Sequence, residues 1–500
     1  SMINTKFLHI ADIHLGKRQY NLAERYNDYF RVFKWILDIS IKKEVDFILI
    51  SGDMFDNRKI GPTVLTNVFY IISDFKERAK NVLDREIPIV CIEGNHDNPI
   101  YSSQSWMTFL ADLELIILLS GKYDKNTKKI IFEPFNKNTH RGGKIKINDT
   151  TIYGLPFFGA STTHIFPQIY DAIEDNSDNP NILMMHFGIQ GYDSLKPGIE
   201  ISDSLNNLKE KVDYLALGHF HKQYAIPKKD PWIFNPGSLE INDLKEVFED
   251  YKRGAFIVKF IGKKIYPEAL TCEIGDSNSN LIPNRLFKNL SPIDICNTTS
   301  FNETINLIME RLVKEGIPEN DSSLSPDKDD LNYQIVLFSF KGEIPYSRLE
   351  VNINQLKREI LNKFSILDVR IFSSHLISTL DDIIVSEEKK TIEEIETEVF
   401  DAIVGENPIF KGIENNVVDL MKNLKNGLLD KAPNYYELKE FLKDWFMQYT
   451  EKFDLPKINI YLSKNKEIEQ ESSKEFKDNE IKDEIEDEID LDDYIDDIDN

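Results

Sequence analysis

The sequence predicts an α/β protein with a mainly buried sheet, joined to a smaller α/β unit and a helical segment. Three observations carry this. From Lys6 to about Glu268, short runs rich in Ile, Val and Leu alternate with amphipathic helical stretches, the pattern of βα units. Around Cys272 to Asn302 that pattern dissolves into Asn, Ser and Pro, a linker composition, and then restarts on a shorter scale. Beyond residue 390, apolar residues recur at helical spacing. At 500 residues the chain exceeds what one core supports, so two to four domains of roughly 100 to 200 residues are expected.

Taken in order, strands are expected at 6–11 (KFLHIA), 45–51 (VDFILIS), 87–92 (IPIVCI), 151–156 (TIYGLP), 181–186 (NILMMH), 212–217 (VDYLAL) and 254–260 (GAFIVKF). Helices are expected at 24–43, where Tyr26, Tyr29, Phe30, Phe33 and Leu37 share a face, and at 63–79, introduced by Pro62, a residue suited to a first helical turn. These two helices carry more apolar surface than one sheet face requires, which marks them as a candidate subunit contact. The basic stretch 136–148 (NKNTHRGGKIKIN) reads as a hairpin with a mobile tip. After the linker come a helix at 302–314, a polar loop, a strand at 333–340, a helix at 351–364 and a strand at 367–374. Further on, Val417, Leu420, Met421, Leu424 and Leu428 form one helical stripe and Leu438, Phe441, Leu442, Trp445 and Tyr449 another, with Pro433 between them, which reads as an αα hairpin.

Composition excludes several classes. No apolar stretch approaches the ~20 residues that span a bilayer. The chain enters its first strand without a basic and then apolar leader, so a cytosolic location is expected. Cys91, Cys272 and Cys296 are odd in number and widely spaced, which argues against a disulfide framework and a thiolate metal site. Of the net charge of −25, the stretch from Lys464 to Asn500 holds 17 Asp and Glu against 5 Lys, a balance of −12, and is expected to be disordered. The remainder still carries −13, so any nucleic acid must be held by local basic patches and metal ions rather than by a broadly positive surface.

Five short sites hold metal-binding side chains, each directly after an expected strand: ADIHLG (Asp12, His14), SGDMFD (Asp53, Asp56), EGNHDNP (Asn95, His96, Asp97), MMHFG (His186) and LGHFH (His219, His221). Functional groups of α/β sheets gather at the carboxyl ends of strands, where all five fall. Singly they say little, since Asp-x-His is expected about once in every two or three chains of this length. Together they gather five of the nine histidines with carboxylates and an amide. Two divalent cations roughly 3.5 to 4 Å apart can clamp a phosphodiester, given a bridging anion such as Asp53. The mixed nitrogen and oxygen set without thiolate suits manganese or iron better than structural zinc. Glycines beside the ligands in SGD, EGN and LGH let backbone approach the ions, and in HFH the two imidazoles share one side of an extended chain.

In order and wording these motifs, with NPGSLE at 235–240, resemble the calcineurin-like metallophosphoesterases and, within them, the DNA double-strand-break repair nucleases of the Mre-eleven and SbcD type. The resemblance is strong over residues 6 to about 260 and architectural beyond. It implies a two-sheet phosphoesterase (nuclease) domain at 1–275, an α/β capping domain that binds DNA at 283–378, a helical segment with an ATPase-binding helix-loop-helix at 379–455 and an acidic disordered tail at 456–500. It implies two Mn2+ ions, with Fe2+ or Mg2+ as the other candidates: one on Asp12, His14, Asp53 and His221, the second on Asp53, Asn95, His186 and His219. His96 would then face the scissile phosphate as general acid or transition-state stabiliser, with Asp56 orienting it. Many relatives carry histidine where this chain has Asp56, which bears on the balance of exonuclease and endonuclease activity. Lys17, Arg18 and Arg58 are the expected DNA-phosphate contacts. The implied partners are DNA ends and single strands, a second copy of the chain and an SMC-like ABC ATPase of the Rad-fifty or SbcC type, in a prokaryotic cytoplasm at the nucleoid. The competing expectation is a phosphoesterase acting on a small nucleotide or phosphoprotein.

Overall fold

A computed structural model describes residues 4–98, 104–175, 178–194, 196–249, 251–271, 282–321, 327–373, 376–378, 400, 404, 410, 412–428 and 435–449. Two compact units divide the chain at Asp381 and Asp382, and the first holds both α/β parts. The acidic tail expected at 456–500 lies outside the described residues, as do residues 272–281 of the expected linker; the rest of that stretch is not a linker, since 287–289 and 293–294 are strands and a helix begins at Phe301.

The first unit opens with β1 (Asn4–Ile10), α1 (Ala23–Lys42), β2 (Phe47–Ser51), α2 (Pro62–Leu83), β3 (Ile89–Ile92), α3 (Trp106–Asp112) and β4 (Ile117–Leu119). A small hairpin, β5 (Lys122–Asp124) and β6 (Lys129–Ile131), precedes β7 (Arg141–Gly142), β8 (Lys144–Ile147) and β9 (Thr150–Gly154). Then follow α4 (Thr162–Ala172), β10 (Asn181–Met184), α5 (Asp203–Asn207), β11 (Tyr214–Ala216), β12 (Tyr224–Ile226), β13 (Ile233–Asn235), α6 (Leu244–Phe248), β14 (Gly254–Ile261) and β15 (Lys264–Thr271).

These strands form two sheets, ordered β15-β14-β1-β2-β3-β4-β7 and β12-β13-β11-β10-β9-β8. The central strands of each run parallel, β1 to β4 in the first and β9, β10, β11 and β13 in the second. Their inner faces share one core of Phe7, Phe47, Leu49, Val90, Ile152, Ile182, Met184, Tyr214, Phe234 and neighbours. Each fully buried side chain of this kind contributes about 1.5–3 kcal/mol. On the outer face of the first sheet, the predicted stripe of α1 (Tyr26, Tyr29, Phe30, Phe33, Leu37) packs with Val68, Ile72 and Phe75 of α2. A second outer core joins Ile165, Phe166 and Ile169 of α4 to Leu183 and Leu215. Strands buried on both faces read as continuous apolar runs, which is why they were visible in the sequence.

The basic stretch 136–148 is not a self-paired hairpin. A bridge between Asn136 and Arg141 closes its turn, but β7 then joins β4 in the first sheet, while β8 pairs with β9 in the second. Gly143 lies at this crossing between sheets, where a Cβ would fall 2.6 Å from the Phe132 Cα.

The smaller α/β part comprises β16 (Phe287–Asn289), β17 (Ile293–Asp294), α7 (Phe301–Lys314), β18 (Ile335–Ile344), α8 (Ile353–Lys363), β19 (Asp368–Phe372) and β20 (Leu376–Ser378). Its ten-residue β18 is the centre, paired in parallel with all four other strands. Ser300 caps α7 by accepting from Glu303 N, and Asn352 caps α8 by accepting from Gln355 N.

The second unit contains α9 (Glu414–Leu428) and α10 (Tyr435–Gln448). Val404, Ile413, Val417 and Val418 are buried with Met421, Trp445 and Tyr449, and Gly427 gives Leu438 room to pack. The expected αα hairpin is formed; the part of the expected helical region at 390–399 lies outside the described residues.

Candidate metal centre

Each of the five sites follows a strand end: Asp12 and His14 after β1, Asp53 and Asp56 after β2, Asn95, His96 and Asp97 after β3, His186 after β10, and His219 and His221 after β11. The first three come from one sheet and the last two from the other, and they meet. His14 Nε2 lies 3.2 Å from His221 Nε2, and His186 Nε2 lies 3.2 Å from Asp53 Oδ2. Asn95 Oδ1 stands between two imidazoles, 3.1 Å from His186 Nε2 and 3.2 Å from His219 Nδ1. Ligand atoms of Asp12, His14 and His221 fall within 4.8 Å of one another, as do those of Asp53, His186 and His219, and those of His14, Asp53 and His96.

The backbone is strained to achieve this. Asp12, His14, Asp53 and His219 take φ of 51, 50, 51 and 85°, the left-handed region that costs a non-glycine residue on the order of 1 kcal/mol or more. Main-chain groups hold the carboxylates in return. His219 N donates to both Asp12 oxygens at 3.0 and 3.1 Å, and His96 N donates to Asp53 Oδ1 at 3.0 Å. Gly94 is required for proximity, since a Cβ there would lie 2.0 Å from Asp53 Oδ1. Gly52 has φ +91°, and its Cβ would meet His186 Nδ1 at 2.3 Å.

The donor set fits divalent cations. His186 Nδ1 lies 2.7 Å from the Ser51 carbonyl, which can only accept, so Nδ1 carries hydrogen and Nε2 is the atom that faces Asn95 Oδ1 and Asp53 Oδ2. His221 Nδ1 donates to Glu246 Oε1 at 2.5 Å, which leaves its Nε2 lone pair facing His14 Nε2. Converging lone pairs repel unless positive charge lies among them. Protonation carries that charge in the bare protein. Burial would lower His186, but the Asp53 carboxylate overrides it and pushes the imidazole up to about 9. Asp53 is held well below the carboxylate range by His186, His96 and His14 against the opposing effect of burial. Burial pushes Asp12 up to about 8 and depresses His14, His219 and His221, so the remaining nitrogens are free to ligate.

One expectation needs correcting. The Asp56 carboxylate does not hold His96; the main-chain carbonyl of Asp56 does, accepting from His96 Nδ1 at 2.7 Å. The Asp56 carboxylate turns instead toward His14 Nδ1 at 3.4 Å and Lys17 Nζ at 3.5 Å, because the tight main-chain path after Asp53 points the two groups apart. Of the expected DNA contacts, Arg58 donates from Nε to the Asn95 carbonyl at 3.2 Å, Lys17 joins Asp56, and the exposed Arg18 lies over the Tyr26 ring.

Sequence reasoning missed four groups. Glu246, buried on α6, anchors His221 and had no spacing signal. Asp97 ties the loops after β2 and β3 together by accepting from Met54 N, Phe55 N and Gly94 N at 3.2, 3.0 and 3.0 Å; its neighbour His96 drew attention to the motif, but not to this role. Phe157 packs against His186 and His219 with ring centroids 6.0 and 5.8 Å away. Lys196 adds its positive field to burial in depressing His221.

Residues 5–223 match the calcineurin-like phosphoesterase family. The chain is 30% identical over 261 residues to the DNA double-strand break repair protein Mre11 of Saccharolobus solfataricus, an alignment covering 51% of this chain and 60% of that one. It is 29% identical over 277 residues to the protein of the same name from Sulfurisphaera tokodaii, covering 52% and 61%. To that of Methanocaldococcus jannaschii it is 29% identical over 310 residues, covering 60% and 72%. The matched region spans about three fifths of the length of the first two relatives.

Proposed function

We propose that this chain is a metal-dependent phosphodiesterase that hydrolyses DNA at double-strand breaks, as exonuclease and endonuclease; the match of residues 5–223 to the calcineurin-like phosphoesterase family, and relatives over that region named as DNA double-strand break repair proteins, support it. The observation that carries the reading is Asp53, whose carboxylate belongs to two groups of converging ligand atoms, one with His14 and His96 and one with His186 and His219. Asp12, His14, Asp53 and His221 hold one ion and Asp53, Asn95, His186 and His219 the other, both Mn2+ in keeping with the thiolate-free donor set. Such a pair of cations supplies a nucleophile from water at neutral pH and neutralises charge on the phosphoryl oxygens.

The chain's own groups do the rest. With its Nδ1 proton fixed on the Asp56 carbonyl, His96 offers Nε2 to the leaving oxygen, as general acid or as transition-state donor. Phe157 shields one side of the imidazoles from water. Lys17, Arg18 and Arg58, each in a loop that follows a ligand, receive DNA phosphates. Two further surfaces suit partners. Of the two helices expected at a subunit contact, the apolar stripe of α1 is buried in the core, and Phe69 and Tyr70 on α2, exposed by 39% and 66%, are the surface offered to a second copy. Leu428 of α9 and Phe441 of α10, also exposed, mark the dock of an SMC-like ABC ATPase of the Rad-fifty or SbcC type, and in that assembly the protein also tethers DNA ends. The matching location is a prokaryotic cytoplasm, at the nucleoid.

Linear duplex DNA incubated with the protein and Mn2+, with bis-p-nitrophenyl phosphate in parallel, tests this. Manganese-dependent DNA cleavage that disappears in His96→Ser while duplex binding persists is the expected result. Turnover of the small diester with no attack on DNA, with or without an ATPase partner, would instead favour a phosphoesterase of small nucleotides or phosphoproteins.

A further inference from the structure

His221 is anchored by a carboxylate from outside the five ligand loops. Glu246 accepts from its Nδ1 through Oε1 at 2.5 Å, and the other oxygen accepts from Asn242 N at 3.0 Å, so the buried carboxylate is fully committed. The element that carries Glu246 is α6, five residues long. A single turn of this length does not hold itself, because the cost of nucleating a helix is recovered only over many residues or by packing. Its position is therefore set by what it packs on.

Two bodies share that task. On the nuclease side, Arg25 Nη2 and Tyr29 Oη donate to the Ile241 carbonyl at 3.1 and 2.8 Å, and Gln19 Nε2 donates to the Asn242 carbonyl at 3.1 Å. These hold the chain entering α6. The helix itself leans on the smaller α/β part. Leu244 and Val247 join the apolar cluster of Phe287, Ile335, Leu337 and Leu367, and the Phe248 ring meets Phe372 edge-on with centroids 5.9 Å apart. A carboxylate that fixes an imidazole ligand thus sits on the turn that receives the capping part.

We propose that Glu246 is a positioning residue for His221, and that α6 makes this positioning depend on the docking of residues 283–378. Ion binding at Asp12, His14 and His221 and docking of the smaller part are then linked. Whatever loosens the contact weakens that ion, and by reciprocity the ion tightens the contact. The inference rests on the two-ion reading of the site and adds a control of that site from a distance.

The test is a Mn2+ titration of the full chain, with free Mn2+ followed by electron paramagnetic resonance and folding checked by thermal melting. Glu246→Ala should weaken one of two ions about 10- to 100-fold and leave the other unchanged, as loss of an outer partner does. Glu246→Gln keeps an acceptor oxygen for His221 Nδ1 and the volume of the native side chain, but turns its NH2 toward the Asn242 N–H, and should recover part of that loss. Leu367→Ala combined with Phe372→Ala, which alters no atom of the site, should weaken the same ion. Unchanged ion affinities in Glu246→Ala, equal loss of both ions, or no recovery in Glu246→Gln would overturn the positioning role. A capping variant with both affinities intact would overturn the link. Failure of the wild-type chain to bind two Mn2+ ions would defeat the two-ion reading itself, a result distinct from two ions in the wild type and unaltered variants.

Discussion

Asp28 of α1 and Arg285, which leads into β16, form a buried bidentate pair, with Nε to Oδ2 at 2.8 Å and Nη2 to Oδ1 at 3.0 Å. Arg25 and Arg31 also donate to this carboxylate, and Arg285 Nη1 reaches the carbonyls of Asp330 and Tyr333 at 2.9 and 2.5 Å. The pair joins the first helix of the two-sheet domain to the base of the smaller part. A buried charge that loses its partner costs about 3–5 kcal/mol, so Asp28→Ala should destabilise the first unit by that order in urea unfolding. Arg285→Ala should be comparably damaging, and a loss below about 1 kcal/mol for both would mean the pair is solvated.

Gly94 offers a test confined to proximity. Its φ lies outside the left-handed region, so alanine fits the backbone torsions, and the penalty comes from the approach of a Cβ to Asp53, 2.0 Å from Oδ1 and 2.4 Å from the main-chain nitrogen. Gly94→Ala should weaken Mn2+ binding at least tenfold by calorimetry while the far-ultraviolet circular dichroism is unchanged.

His9 predicts a pH dependence. Buried on β1, it meets Tyr214 Oη at 2.8 Å and Ser51 Oγ at 2.9 Å, and burial depresses it to about 3. The folded chain therefore keeps this imidazole neutral where the unfolded chain, titrating near 6.5, is already protonated. Its contribution to stability is complete above about pH 6.5 and falls as pH drops toward 3, by at most about 1.4 kcal/mol per pH unit. Urea midpoints measured across that range with EDTA should show a shallower slope in His9→Gln than in the wild type.

The fold was legible where strands are buried on both faces and helices present a wide apolar stripe. It was illegible where local composition misleads. The run at 264–271 contains Pro267 and did not read as a strand, yet β15 is the edge of its sheet, where a missing N–H is tolerated. Pro167 inside α4 hid that helix in the same way. For the candidate site, the seven proposed ligand residues were visible in the sequence because each lies within a few residues of a strand end. Glu246 escaped because it comes from a turn 25 residues away from His221, and the role of Asp56 was assigned to the wrong atom because main-chain carbonyls carry no residue signature.

Lys17 and Arg58 stand beside the cluster, on Asp56 and on the Asn95 carbonyl. If each meets a DNA phosphate, the double variant Lys17→Ala, Arg58→Ala should lower the slope of log affinity against log salt by about 2 for duplex, with little dependence on sequence. An unchanged slope in filter binding without divalent metal would assign both to the protein's own hydrogen bonds.

Manganese should also stabilise the fold. At a free concentration of 100 times its dissociation constant, each ion that binds only the folded chain adds about 2.7 kcal/mol, so melting temperatures should rise with Mn2+ and return to the starting value with EDTA. Asp53→Asn, which removes the shared anion, should abolish this rise.

The most direct test is anomalous scattering at the manganese edge from a crystal soaked in Mn2+. Two peaks roughly 3.5 to 4 Å apart, with the Asp53 carboxylate between them and His221 and His186 on opposite ions, are the predicted result. A single peak, or manganese bound away from Asp53, would contradict a shared-aspartate centre.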